Sequence, residues 1–215
     1  LVWKTAEGFS VRPYYRAENL NSITWNNVEP NQFPYVRGNK TKGNEWLICQ
    51  DINVTDCKAA NEKALDAISR GANAITFRLE YDKLYTDLEI SALLNGINAK
   101  EVELSFYNNK YHLPLLEQLS RIPELRGSLN YDPLTRYIRR GTWFISESTD
   151  MELAYILTKA DMPGFQTIGI NAHVFTNAGA TIAQEMAFAL AVGAEYVDKL
   201  TDTDLSIDEI LPKMR

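Results

Sequence analysis

The feature that most constrains this chain is an alternation of short strand-like runs with helical ones from residue 46 onward. Residues 46–54 (WLICQDINV) form a plausible strand. Residues 56–70 then carry Ala60, Ala64, Ala67 and Ile68 on one helical face, closed by Gly71. Residues 74–79 (AITFRL), 101–106 (EVELSF) and 127–131 read as further strands, separated by helices over 84–94 and 112–121. Helical stretches follow near 133–140 and 150–159, then a strand over 167–174 and a long helix over 182–200. Such alternation means repeated βα units and a parallel sheet. A complete eight-fold barrel needs roughly 250 residues. The expected fold is therefore α/β: the first five or so units of a (β/α)8 TIM-type barrel over 46–215, incomplete in this chain. A doubly wound open sheet is the rival. Against it, no strand is followed by a glycine fingerprint, and Asn53, Arg78 and Asn171 would have to be accommodated in the sheet. Residues 1–45, rich in Asn, Pro, Gly and aromatics with little periodicity, read as an irregular arm.

Both ends suggest a fragment: Leu1 is not an initiator methionine, and 204–214 reads as a helix interrupted by Pro212. Open barrel edges would then make the isolated chain self-associate. A net charge of −6 argues against nucleic acid or an anionic membrane surface as the main partner. The longest nearly uncharged apolar run, 186–194, is far short of the twenty or so residues that cross a bilayer. Lys4 and Glu7 interrupt the start, so no signal peptide is visible. Cys49 and Cys57 have no histidine nearby and no second pair; they form no metal site, and a reducing cytoplasm is the simpler reading.

Several residues are candidates for chemistry. Arg37-Gly-Asn-Lys-Thr-Lys-Gly43 has phosphate-loop glycine spacing, but Asn44 and Glu45 stand where Lys and Ser/Thr are needed. Lys40 and Lys42 leave a loose anion contact open beside the simpler reading of a solvated turn. Arg136, Arg139 and Arg140 suit phosphate, yet cations at a helix C-terminus also settle the macrodipole. Ser146 and Ser148 fall in a turn without a nearby histidine. Trp3, Tyr14, Tyr15, Trp25 and Tyr35 make the arm aromatic, suited to packing along a domain or anchoring a partner. His173 ends a strand-like run in which Gly169, Asn171 and His173 share one face. At the inner rim of a barrel it is an acid or base candidate; a structural histidine bonded to Asn171 or a backbone carbonyl is the alternative.

A resemblance covers nearly the whole chain. Thr5-Ala-Glu-Gly-Phe-Ser-Val-Arg-Pro-Tyr-Tyr15 resembles the T-x-E-G-I-x-V-x-P-x-Y arm of the methylmalonyl-CoA mutase family. Phe33-Pro-Tyr-Val-Arg-Gly38 and Trp46-Leu-Ile-Cys-Gln50 resemble its F-P-x-x-R-G and W-x-I-R-Q. Asn177-Ala-Gly-Ala180, Gln184-Glu185 and Ala191-Val-Gly-Ala-Glu-Tyr196 resemble E-A-G-A, Q-E and A-x-G-x-x-Y in the same order. The resemblance implies a barrel holding acyl-CoA along its axis and a separate cobalamin-binding domain. It also implies the adenosylcobalamin-dependent interconversion of methylmalonyl-CoA and succinyl-CoA, a step of propionate metabolism. In the two-chain form of the family the large subunit is catalytic, and a small subunit of similar fold pairs with it as a heterodimer.

The departures point to the small subunit. The family's R-G-P-Y-x-T-M-Y-x-x-R-P-W carries a tyrosine and an arginine that 39–45 lacks, and the arginine of W-x-I-R-Q is Cys49 here. Counted back from Ala178-Gly-Ala180, the histidine of Y-H-x-x-E-A-G-A falls on Val174, with Asn177 for its glutamate. His173 is one position out of step, which in a strand turns a side chain to the opposite face. No D-x-H-x-x-G lower-ligand motif surrounds His112 or His173. The expectation is a chain with no catalytic, cofactor-binding or metal-binding residues of its own, its arm touching the large subunit, which would hold adenosylcobalamin. The rivals are an active acyl-CoA mutase chain using His173, and an unrelated barrel enzyme acting on a phosphorylated small molecule.

Overall fold

The computed structural model describes residues 2–43 and 45–215; Leu1 and Asn44, both invoked above, lie outside the described residues. The chain divides into two compact units, Leu1–Trp46 and Leu47–Arg215. In the first, β1 (Trp3–Lys4) pairs antiparallel with β2 (Ser10–Val11), and one 3-10 turn spans Ala17–Leu20. None of its described residues is buried, so this unit has no hydrophobic core of its own.

The second unit holds five parallel strands: β3 (Cys49–Asn53), β4 (Ala74–Arg78), β5 (Glu103–Tyr107), β6 (Gly127–Tyr131) and β7 (Phe165–Ile168). Helices α1 (Cys57–Ser69), α2 (Asp87–Leu94), α3 (His112–Leu119), α4 (Pro133–Arg140) and α5 (Glu147–Thr158) connect them. After β7 come α6 (His173–Asn177), α7 (Ile182–Thr201) and α8 (Ile207–Ile210). Side-chain caps mark where helices begin. Asp56, Thr86, Asp132, Ser146 and Thr181 each accept from a backbone N–H of the following first turn.

Sheet order is β3-β4-β5-β6-β7 without a reversal. A doubly wound sheet has a switch point at which the strand order turns back; a barrel adds each strand beside the last. The sequential order therefore selects the barrel type, here open.

The two faces of the sheet differ in chemistry. Ile52, Phe77 and Phe106 lie side by side in register and are buried, with Ile75, Leu104, Leu129 and Phe165, in the core beneath the helices. The opposite face carries Asp51, Thr76 and Ser105 in one row and Asn53, Arg78 and Tyr107 in the next. Barrel interiors are usually filled by branched apolar side chains. Here polar cross-strand pairs replace them: Cys49 Sγ lies 3.2 Å from Thr76 Oγ1, Arg78 Nε donates to Asp51 at 2.9 Å, and Ser128 to Ser105 at 3.0 Å.

This polar face is concave. Met214 bridges to Ile168 in parallel, and Arg215 exchanges backbone hydrogen bonds of 2.9 Å with Ile168 and Ile170. From that position beyond β7, the Arg215 guanidinium reaches Glu103 at 2.6 Å and Ser105 at 3.3 Å, both on β5. In a flat sheet three strand spacings, about 14 Å, would separate them, beyond the reach of an arginine. The strands must curl toward this face, in the sense that closes a barrel.

Three readings from the sequence need correction. The last strand stops at Ile168, not at residue 174, because Asn171 turns out of the ladder to bond Asp132. The first strand begins at Cys49, with Trp46, Leu47 and Ile48 exposed ahead of it. The 204–214 stretch is not one helix: α8 passes into a short 3-10 turn at Leu211–Lys213, and Met214 is already extended beside β7.

Gly127 is where the backbones crowd most. Its φ is +137°, and a Cβ there would lie 1.8 Å from the Leu104 carbonyl oxygen. Gly141, at φ +69° after α4, would meet nothing within 4 Å. Chemical denaturation should show Gly127→Ala losing roughly 3 kcal/mol or failing to fold, and Gly141→Ala losing only about 1 kcal/mol. Equal losses would mean the close approach of β5 and β6 is wrong.

Candidate functional site

A cleft of about 740 Å³ opens where the strands end at their carboxyl side, the end at which β/α enzymes place their chemistry. Its floor is the polar face just described, through Asn53, Arg78, Tyr107 and Asn130. Its walls come from the segments after β4, β5, β6 and β7.

Asp132, the residue after β6, organises this mouth. It is 6% exposed. Oδ1 accepts from the Thr135 N–H at 3.0 Å and from the Tyr196 hydroxyl at 2.9 Å. Oδ2 accepts from the backbone and side-chain nitrogens of Asn171 at 2.8 and 2.7 Å. Asn130 Nδ2 donates to Asn171 Oδ1 at 3.0 Å, and the Tyr196 oxygen accepts from Leu134 N–H at 3.2 Å. A Cβ on Gly169 would sit 1.8 Å from Asn130 Oδ1, so this packing requires glycine there. With four donors, Asp132 is a structural acceptor and not a free base. Asp51, the other carboxylate lining the cleft, is ion-paired with Arg78.

Beside this knot lies an aromatic box. Tyr131 and Phe144 stack at 5.7 Å, and the His112 ring meets Tyr131 edge-on at 4.6 Å and Phe144 at 5.8 Å. Arg136 lies over the Phe144 ring at 4.3 Å. Burial pushes the His112 imidazole down to about 4, against the opposing pull of the Lys110 backbone carbonyl.

The residues singled out in the sequence fare differently. His173 is brought to the cleft, but as the exposed first residue of α6 and not on a strand. Val174 lines the cleft beside it. Neighbours on a helix differ by about 100°, so the one-residue offset does not send His173 to an opposite face as strand geometry would. Nor does His173 bond Asn171, whose polar atoms serve Asp132 and Asn130. The arginine cluster splits. Arg139 and Arg140 occupy the last turn of α4, while Arg136 turns onto Phe144.

Ser146 caps α5 and Ser148 lies inside that helix, which begins at Glu147 and not at Asp150, so neither is a turn residue awaiting a base. In the 37–43 loop, Lys40 donates to the Glu45 carbonyl at 2.5 Å and Arg37 to the Val28 carbonyl at 3.4 Å. Cys49 and Cys57 are free thiols. Trp3, Tyr14, Tyr15, Trp25 and Tyr35 are all exposed. His112 and Phe144 were not chosen from the sequence as site residues. The available signal was a histidine opening a helix directly after a strand, a place that core residues share.

The buried imidazole gives a pH dependence of definite sign. His112 is neutral when folded down to about pH 4, whereas in the unfolded chain it takes up a proton near its ordinary 6.5. Its contribution is present above 6.5 and is lost as pH falls toward 4. Urea denaturation of the full chain should therefore show roughly 2–3 kcal/mol less stability near pH 4.5 than near pH 7 from this group. His112→Leu should lack that part of the loss. An identical pH profile in the variant would mean the imidazole is not buried neutral.

Residues 4–86 and 83–215 match the family model described as Methylmalonyl-CoA mutase. The whole chain aligns at 36% identity with 36% of the methylmalonyl-CoA mutase small subunit of Porphyromonas gingivalis. It aligns at 28% with 35% of the methylmalonyl-CoA mutase of Escherichia coli, and at 27% with 34% of a probable methylmalonyl-CoA mutase large subunit of Mycobacterium bovis. It thus spans about a third of the length of these curated relatives. On this match, the chain belongs to the methylmalonyl-CoA mutase family.

Proposed function

We propose that this chain is part of a non-catalytic small subunit that supports a catalytic large subunit in a methylmalonyl-CoA mutase heterodimer, in the cytoplasm. The observation that carries this reading is the state of the cleft. Both carboxylates that line it are engaged, and Val174 stands where the family pattern has its histidine. The alignments support it. The match to the small subunit runs over 227 positions for 215 residues, that to the Escherichia coli mutase over 249. The second therefore needs nearly three times as many gaps in this chain.

Adenosylcobalamin does not fit the residues present. Neither His112, packed among aromatics, nor His173 stands in a D-x-H-x-x-G setting. In this reading the large subunit holds the cofactor, and no step of the isomerisation runs through this chain. Residues 46–215 are the first five or so βα units of the supporting barrel. Residues 1–45 are the partner-contact arm, where exposed Trp3, Phe33 and Trp25 have no core of their own to join. Burying one such aromatic against a partner contributes about 1.5–3 kcal/mol.

One specific observation favours the rival reading of an active chain: His173 is exposed at the cleft. The two separate cleanly. The full-length protein, given adenosylcobalamin and methylmalonyl-CoA without its partner, should show no turnover. With the large subunit it should co-elute as a heterodimer, and removing residues 1–35 should weaken that association at least about tenfold. Turnover by the lone protein, abolished by His173→Ala, would reject the supporting role. A heterodimer indifferent to the arm would reject the arm's part in it.

A further inference from the structure

Apart from Phe188, which meets Phe175 at 5.1 Å, the first half of α7 joins neither the core nor the cleft. Between Ile182 and Ala194 the only charged residue is Glu185. Yet Ile182, Met186 and Leu190 are 68%, 62% and 73% exposed. The helix reaches the core only further along, through Val192, Tyr196 and Leu200. A helix that is apolar over most of its surface is normally buried. The three exposed side chains sit at intervals of four, a ridge of the kind that fits the groove of another helix.

The direction of this ridge identifies what covers it. Residues on a helix advance by about 100° each, so Ile182 and Met186 lie within about 20° of Gly193, and Leu190 within about 60°. Gly193 faces Ile170 and Met214: a Cβ there would lie 3.2 Å from Ile170 Cδ1 and 3.8 Å from Met214 Cε. The ridge is therefore on the Met214 side of α7. The other flank is taken, for Lys199, about 120° from Gly193, pairs with Glu147 of α5 at 2.8 Å. Met214 stands in parallel beside β7, at the next position of the sheet. Successive crossovers keep one hand, so the helix after a strand at that position lies in the outer layer on the Met214 flank of α7. The chain spans about a third of the length of its relatives, which leaves ample sequence for such a helix in the full-length protein.

We propose that the ridge of Ile182, Met186 and Leu190 docks a segment of its own full-length chain, the helix that follows the strand begun by Met214. The occupant is an amphipathic helix with its apolar stripe toward α7, since the ridge offers no charge to a polar surface. A partner subunit on this flank would stand where the barrel continues, so the inference also takes the flank out of the heterodimer contact. It rests on the reading of residues 46–215 as the first units of a barrel, and not on whether the subunit is catalytic.

Thiol labelling of the full-length protein without its partner tests this. Leu190→Cys is compared with Leu88→Cys, on α2 at a position 83% exposed. Peptide mass spectrometry separates both from Cys49 and Cys57, and each rate is taken relative to that in urea. The thiol at 190 should react with iodoacetamide at least about tenfold more slowly than the one at 88, because its reaction waits for local opening. Adding the large subunit, diluting the protein or removing residues 1–35 should leave the ratio unchanged. If Leu190→Cys does not fold, Met186→Cys reads the same ridge. Equal rates in the folded protein overturn the proposal. So does protection that appears only with the large subunit, is lost on dilution or is lost with the arm. Those results would assign the ridge to the partner, to a second copy or to residues 1–35 in turn. Turnover by the lone protein would reject the supporting role and leave this inference standing.

Discussion

The constraint on which the second unit depends is the burial of a carboxylate at the end of β6. A buried carboxylate without partners is strongly disfavoured, and Asp132 is tolerated only because four donors converge on it. Those donors come from different parts of the chain. Thr135 begins α4, Asn171 follows β7, and Tyr196 lies in α7, more than sixty residues away. Satisfying one residue therefore fixes where β7 ends and where α7 packs. It also decides which backbone lines the cleft. The same knot explains why the strand-like alternation past Ile168 does not continue as strand: the Asn171 N–H that a ladder would use is committed to Asp132.

The second constraint is the polar concave face. A sheet packed on both sides carries apolar residues on both, yet here one face bears Asp51, Arg78, Glu103, Ser105 and Ser128. Their mutual pairing, and the Arg215 guanidinium spanning from beyond β7 to β5, let the sheet curl without a second hydrophobic layer. The core is confined to the helix side. Among the described residues, the opposite face of the sheet lines the cleft. Function in this chain is therefore a matter of which cleft groups remain free.

His173 and His112 exchange significance on that basis. His173 stands in the family-like segment and reaches the cleft, but as an exposed helix residue without a hydrogen-bonded companion among the described residues. His112 sits in an unremarkable run of leucines, and the fold carries it against Tyr131 and Phe144 beside Arg136. The arginine cluster likewise resolves into different roles: Arg139 and Arg140 close α4, where cations complement the macrodipole, and Arg136 and Arg139 line the cleft, Arg136 stacked on Phe144.

The sequence by itself determined the class of fold, the alternation of strands and helices from the first parallel strand to the last, and the family. Local periodicity sets which residues a helix or strand can bury, and the strands at 74–78, 103–107 and 127–131 lie inside or within one residue of where alternation places them. It also determined the caps, because Asp56, Thr86 and Thr181 bond to atoms only three residues away. What only the tertiary structure decided depends on contacts between distant residues: that β7 stops at Ile168, that Met214 joins the sheet, that the opposite face of the described sheet lines a polar cleft, and that His112 and Arg136 meet at Phe144. Periodicity within a window reports which face of an element is apolar, but not what chemistry another element will bring against the polar one. That is set by hydrogen bonds across dozens of residues, such as Asp132 with Tyr196, which no local pattern encodes.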